Sequence, residues 1–225
     1  MAISDQKGYV SMPDASHEQD LWIQAVHEFE PVSWERLPEL DLYMDQVITL
    51  MGKQLALFQS EEDKLLTPSM INNYVKGGVL PRPVQKKYSR EHLAKLQMIC
   101  LLKSILSLPE IQQTIQGLEN GQEIPELYAE FSSVQKKAME DVARRLEQLE
   151  QPSSRGLYQT AMALALEASA RRTAAARILS QLKAAEEEAK KVRKDKEKSS
   201  KDERDEKEAK KEESSEPDSV SAPDA

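Results

Sequence analysis

"NNYVKGGVLPRPVQKKYS", residues 72–89, decides the fold. Gly77–Gly78 supply a helix C-cap, because glycine enters the left-handed region without steric cost. Upstream, Thr67 is a good N-cap and Pro68 suits the first helical position, where its missing N–H costs nothing. The punctuation predicts a helix over 68–76, little more than two turns. Met70, Ile71, Tyr74 and Val75 form its buried side, and Ser69, Asn72, Asn73 and Lys76 its polar side. Downstream, Pro81 and Pro83 cannot donate to a ladder, so 79–88 reads as an extended turn or small hairpin. Ser89 caps the next helix.

The same stretch is the basic part of an acidic chain. The 225 residues carry a formal charge of -8. Residues 1–65 hold 4 basic and 13 acidic side chains, residues 66–106 hold 7 and 1, and residues 107–225 hold 20 and 25. A basic window in an acidic chain is an electrostatic footprint suited to phosphate, although a lysine-decorated helix face produces the same count.

Working toward the N-terminus, "LDLYMDQVITLMGKQLALF" gives a helical stripe of Leu42, Val47, Leu50, Met51 and Leu55, with Asp41 as the expected cap. "QSEEDKLL" is a polar break. Residues 1–36 form an acidic arm with a short helix near "EQDLWIQAVHEF" that packs on the main domain or stays loose.

Toward the C-terminus, "REHLAKLQMICLLKSIL" is a strongly apolar helix and "LPEIQQTIQGL" a second, with Pro109 in its first turn. Residues 121–151 read as an amphipathic helix with the stripe Leu127, Phe131, Val134, Ala138, Val142, Leu146 and Leu149. An alanine-rich helix follows over 156–192. Residues 193–225 have almost nothing apolar to bury and read as a disordered charged tail, with room for a frayed helical start.

The order of short helix, Gly-Gly, proline-rich basic loop, Tyr-Ser cap and apolar helix resembles the DNA-binding domain of the MerR family of bacterial regulators. That family's pattern "RYYExxGLLPP", a basic wing ending on a tyrosine, "S-x-E-D-L-x-R-L" and "FSLEEI" have counterparts in "NNYVKGGVLPRP", "KKYSREHLAKL" and "LSLPEI". Residues 37–150 are more similar still to domain-of-unknown-function family 1836 (DUF1836), a bacterial family regarded as MerR-like. The resemblance implies a mainly all-α, winged helix-turn-helix domain over 37–120 with a small wing, long C-terminal helices and a charged tail. Two departures stand out. About ten residues, "LFQSEEDKLL", separate the first two helices, and Asn72–Asn73 replace the arginine-tyrosine pair.

On this reading the partner is double-stranded DNA. Thr67, at the helix start, stands where free N–H groups seat a phosphate. Ser69, Asn72, Asn73 and Lys76 share a face suited to the major groove, where asparagine reads adenine edges. Arg82, Lys86, Lys87 and Tyr88 form the wing on the backbone. Tyr88 has two open uses, a hydroxyl on phosphate or packing under the wing. The 124–150 stripe also has two, an antiparallel homodimer seam or folding back on the alanine-rich helix.

Catalysis finds little support. His17, His27 and His92 are dispersed and lack metal-ligand spacing, and "KGGVLP" lacks the strand and the Gly-Lys-Ser/Thr end of a phosphate loop. No cofactor or metal is implied. Cys100 stands alone, so no intramolecular disulfide forms and it reads as a buried small hydrophobe. With no secretion signal and no run long enough for a bilayer, the chain reads as cytoplasmic. The leading expectation is a DNA-binding transcriptional regulator. The alternative is a helical adaptor whose winged-helix domain binds protein.

Overall fold

The computed structural model describes residues 15–59, 64–147 and 154–213. The protein is mainly α-helical. Its helices are α1 (Ala15–His27), α2 (Met44–Gln54), α3 (Pro68–Lys76), α4 (Arg90–Leu102), α5 (Leu108–Glu119), α6 (Ile124–Glu147) and α7 (Ser154–Glu213). The strands β1 (Leu42–Tyr43) and β2 (Lys87–Tyr88) form a two-stranded antiparallel sheet, Leu42 opposite Tyr88 and Tyr43 opposite Lys87. No helix among the described residues is long and apolar enough to cross a membrane.

The chain divides into two units, Met1–Thr173 and Ala174–Ala225. The core of the first is built from apolar side chains of successive helices. Val47 and Met51 of α2, Ile71 of α3, Leu93, Leu96 and Ile99 of α4 and Ile111 of α5 are all fully buried. Each such side chain stabilises the fold by roughly 1.5–3 kcal/mol relative to exposure. α4 is buried on more than one face, which its near-continuous apolar run anticipated.

Helix starts are set by caps. The Thr67 hydroxyl accepts from the Met70 N–H at 3.2 Å, with Pro68 behind it. Ser107 and Glu110 form a reciprocal capping box at α5, both Ser107 donors lying 2.7 Å from the Glu110 carboxylate. Asp41 does not cap α2 as expected. Leu42 and Tyr43 pair with β2, so the helix begins at Met44 and the Gln46 side chain accepts from the Tyr43 N–H at 2.9 Å.

The long connection after α2 is partly structured. Ala56–Phe58 make a 3-10 turn, Phe58 meets Phe29 edge-on with ring centres 5.4 Å apart, and Leu55 and Leu66 are buried. Residues 60–63 of the expected polar break lie outside the described residues.

Two C-terminal expectations change. The stripe of α6 is only partly inward. Leu127 is buried and Phe131, Val142 and Leu146 half-buried, but Val134 and Ala138 are exposed, while Leu149 lies outside the described residues. The inward face instead takes in Tyr128 and Ala143, and α1 packs against α6. An ion pair from Glu30 to Lys136 at 2.5 Å and a contact between His27 and the Glu147 carboxylate at 3.4 Å accompany that packing. The N-terminal arm, not the alanine-rich helix alone, therefore covers α6, although Arg145 also pairs with Glu167 of α7.

The second change is that α7 continues past Val192 to Glu213, where a disordered tail was expected. Lys and Glu dominate this stretch, and both have high helix propensity. Residues 214–225 lie outside the described residues.

Candidate nucleic-acid interface

The residues singled out in sequence lie on α3, on the segment 81–88 and at the junction between them. α3 ends in a complete Schellman motif. The Val79 N–H donates to the Tyr74 carbonyl at 3.0 Å and the Gly78 N–H to the Val75 carbonyl at 3.2 Å, with Gly78 at φ +72°. The Gln112 side-chain amide donates to the Gly78 carbonyl at 3.3 Å, so α5 holds the turn from outside. Val79 and Leu80 are buried beyond it, which turns the chain sharply into the proline segment.

That segment is a tight hairpin. Val84 and Lys87 form an antiparallel bridge, and the Lys87 N–H donates to the Val84 carbonyl at 2.9 Å. The two residues between them, Gln85 and Lys86, both have positive φ, 51° and 63°. Two left-handed central residues match the right-handed twist of paired strands. Neither is glycine, so the turn holds them at a steric cost. The outer strand β2 is pinned by β1, and the Lys87 ammonium lies 5.4 Å from the Tyr43 ring centre.

Ser69, Asn72, Asn73, Lys76, Arg82 and Lys86 are exposed, and Thr67 and Lys87 half-buried. Asn72, Val75, Lys76 and Arg82 line one shallow depression of about 290 Å³. The turn after α3 thus brings Arg82 back beside the α3 polar face. Thr67 spends its hydroxyl on the cap. Tyr88 is only 2 % exposed and meets His92 edge-on, ring centres 5.7 Å apart. Packing under the hairpin is the use its position describes, and burial raises its pKa.

Several cations of the basic window are engaged internally. Arg90 pairs with Glu39 at 3.2 Å and stacks over Trp34, Lys95 pairs with Glu119 at 2.5 Å, and Lys103 donates to the Leu65 carbonyl at 2.5 Å. Lys76, Arg82 and Lys86 make no ion pair among the described residues. Positive charge without an internal counterion is therefore concentrated at the end of α3 and on the hairpin.

His92 was not singled out for this surface, yet it stands behind it. Its Nδ1 accepts from the Ser89 N–H at 3.2 Å and lies 2.8 Å from the Ser89 hydroxyl, so it fills the capping-box place three residues after Ser89. Burial lowers its pKa, opposed by the Arg82 backbone carbonyl. The signal in sequence was Ser89-x-x-His92, where a capping box usually has Glu or Gln. Burial pushes the Cys100 thiol up to about 11, which leaves it protonated, and pushes Tyr74 up to about 12. No group of three His, Cys, Asp or Glu side chains among the described residues is placed to hold a metal ion.

Residues 32–131 match the family described as Domain of unknown function (DUF1836). The matched region spans β1 through the first turns of α6 and contains every residue of the candidate interface. No curated protein and no solved structure matches the chain.

Proposed function

We propose that this chain is a sequence-specific DNA-binding protein, a bacterial cytoplasmic transcriptional regulator of MerR-like winged helix-turn-helix type. α3 is its recognition helix in the major groove, and the 81–88 hairpin is its wing on the phosphate backbone. One observation carries the reading. Asn72 and Lys76 of α3 and Arg82 of the hairpin line a single exposed depression, and these cations make no ion pair among the described residues. An asparagine able to read an adenine edge thus stands beside two groups suited to phosphate, the division of labour that DNA recognition needs.

Selection from a random duplex pool, repeated at two salt concentrations, tests this. A single enriched motif whose affinity falls steeply with salt supports the proposal. Equal weak retention of all sequences contradicts it.

A specific feature favours a second reading, an adaptor that binds protein. Tyr43 and Val84 flank Lys87 on its two sides in the small sheet, and both are exposed apolar side chains. Loss of a protein partner on Val84→Asp, with no effect on DNA, would favour that reading.

A further inference from the structure

Within the second unit, α7 carries an apolar stripe that is exposed from Ile178 to Val192. Ala175, Ile178, Leu182, Ala185, Ala189 and Val192 recur at alternating spacings of three and four. Ile178, Leu182 and Val192 are 57, 52 and 48 % exposed. One flank of the stripe carries Gln181 and Glu188, and the other Leu179, Glu186 and Arg193. Glu188 stands on one flank, and Arg193, five residues on, stands on the other.

We infer that residues 175–193 are a self-association surface, and that its partner is the same segment of a second copy of this chain in parallel register. In a parallel two-stranded coil, a flanking residue of one helix meets the opposite flank five residues on in its partner. Glu188 then faces the partner's Arg193, twice by symmetry, and Gln181 faces the partner's Glu186 without repulsion. The antiparallel arrangements match this complementarity less well. The one that aligns Leu182 with Val192 sets Glu188 against Glu188 and Glu186 against Glu186. Shifted by one heptad one way, the flanks offer Gln181 to Glu188 and Leu179 to Glu186, with no opposite-charge pair. Shifted the other way, Glu186 meets Arg193, but Ile178 and Leu182 then have no apolar residue of the stripe opposite them.

The small layers at Ala185 and Ala189 set the number of strands. Two helices close over alanine by approaching, whereas the wider interior of three or four strands leaves a void there. α6 does not compete for this role, since α1 packs on its apolar face. The inference is independent of DNA binding and holds for either functional reading.

The test is sedimentation of the full chain over a concentration series. The wild type sediments as a dimer. Glu188→Arg and Arg193→Glu each place like charges across both flanks and weaken self-association about tenfold or more. Mixing the two variants restores a heterodimer, since the arginine introduced in one then meets the native arginine's glutamate replacement in the other. Circular dichroism confirms that each variant retains its helix content. A wild type that stays monomeric throughout, or a dimer insensitive to both reversals, would overturn the inference. So would two weakened variants that mixing fails to restore.

Discussion

The Tyr128 hydroxyl lies 2.5 Å from the Gln97 side-chain oxygen and 2.9 Å from the Val32 carbonyl, inside an otherwise apolar core. Gln97 in turn donates to the Gln54 side chain at 2.5 Å. The chain of polar groups ties α6 to α4, α4 to α2, and α6 to the strand of backbone before β1. It fixes the base on which α3 and the hairpin stand. Tyr128→Phe leaves the buried Gln97 oxygen short of a donor and is expected to cost about 1–3 kcal/mol in chemical denaturation. A loss below a few tenths would mean that water replaces the hydroxyl.

Gly78 is the hinge between α3 and the hairpin. Its φ of +72° is unfavourable for any side chain, and an added Cβ would stand 3.2 Å from the Gln112 amide nitrogen. Gly78→Ala should destabilise by about 1–2 kcal/mol. It should also weaken DNA binding beyond the loss of folded protein, because Arg82 moves relative to Asn72. Stability and affinity falling in strict proportion would deny the hinge a positioning role.

The hairpin turn separates geometry from charge. Gln85→Gly relieves one left-handed residue without touching a cation, and should raise stability slightly while leaving the salt dependence of binding unchanged. Lys86→Gly relieves the other and removes a charge. It should also stabilise, yet weaken binding and make its salt dependence shallower. Thermal melts and binding isotherms on both variants check the pair of outcomes.

His92 links the fold to pH. Burial lowers its folded pKa below the ordinary 6.5, so the unfolded chain binds the proton more readily. The neutral ring's contribution is fully present above about pH 6.5 and is lost as pH falls from there through the folded pKa. Asp41 and Glu91 favour the charged ring and Lys95 opposes it. His92→Gln keeps an acceptor at the capping-box position and should flatten the stability profile below pH 6.5 relative to the wild type. Parallel profiles for the two proteins would remove His92 from the linkage.

Local chemistry was legible in the sequence where it acts over a few residues. Thr67-Pro68 and Gly77–Gly78 bounded α3 correctly, because caps and left-handed glycines are decided by their neighbours. The apolar run of α4 likewise announced a buried helix. What depended on distant pairing was not legible. Asp41 looked like a cap until β2, more than forty residues on, drew Leu42 and Tyr43 into a strand. The periodicity of α6 identified a helix with an apolar face, but not that α1 would cover it or that the face would turn toward Tyr128 and Ala143. In the candidate interface, the exposed polar face of α3 was readable from spacing. The convergence of Arg82 on Asn72 and Lys76 needed the Schellman turn in three dimensions. The length of α7 was not legible, because a segment without apolar residues carries no packing signal that says where its helix ends.

The most direct test of the account is the salt dependence of DNA affinity for the wild type and for Lys76→Ala, Arg82→Ala and Lys86→Ala, measured on selected and random duplexes. If these three side chains neutralise phosphates, each substitution makes the slope of log affinity against log salt shallower by roughly 0.9 on both duplexes. Asn72→Ala, in contrast, should leave that slope unchanged and narrow the gap between selected and random DNA by roughly 1–3 kcal/mol. Slopes unaltered in all three cationic variants, with each protein folded, would contradict the placement of α3 and the hairpin on DNA.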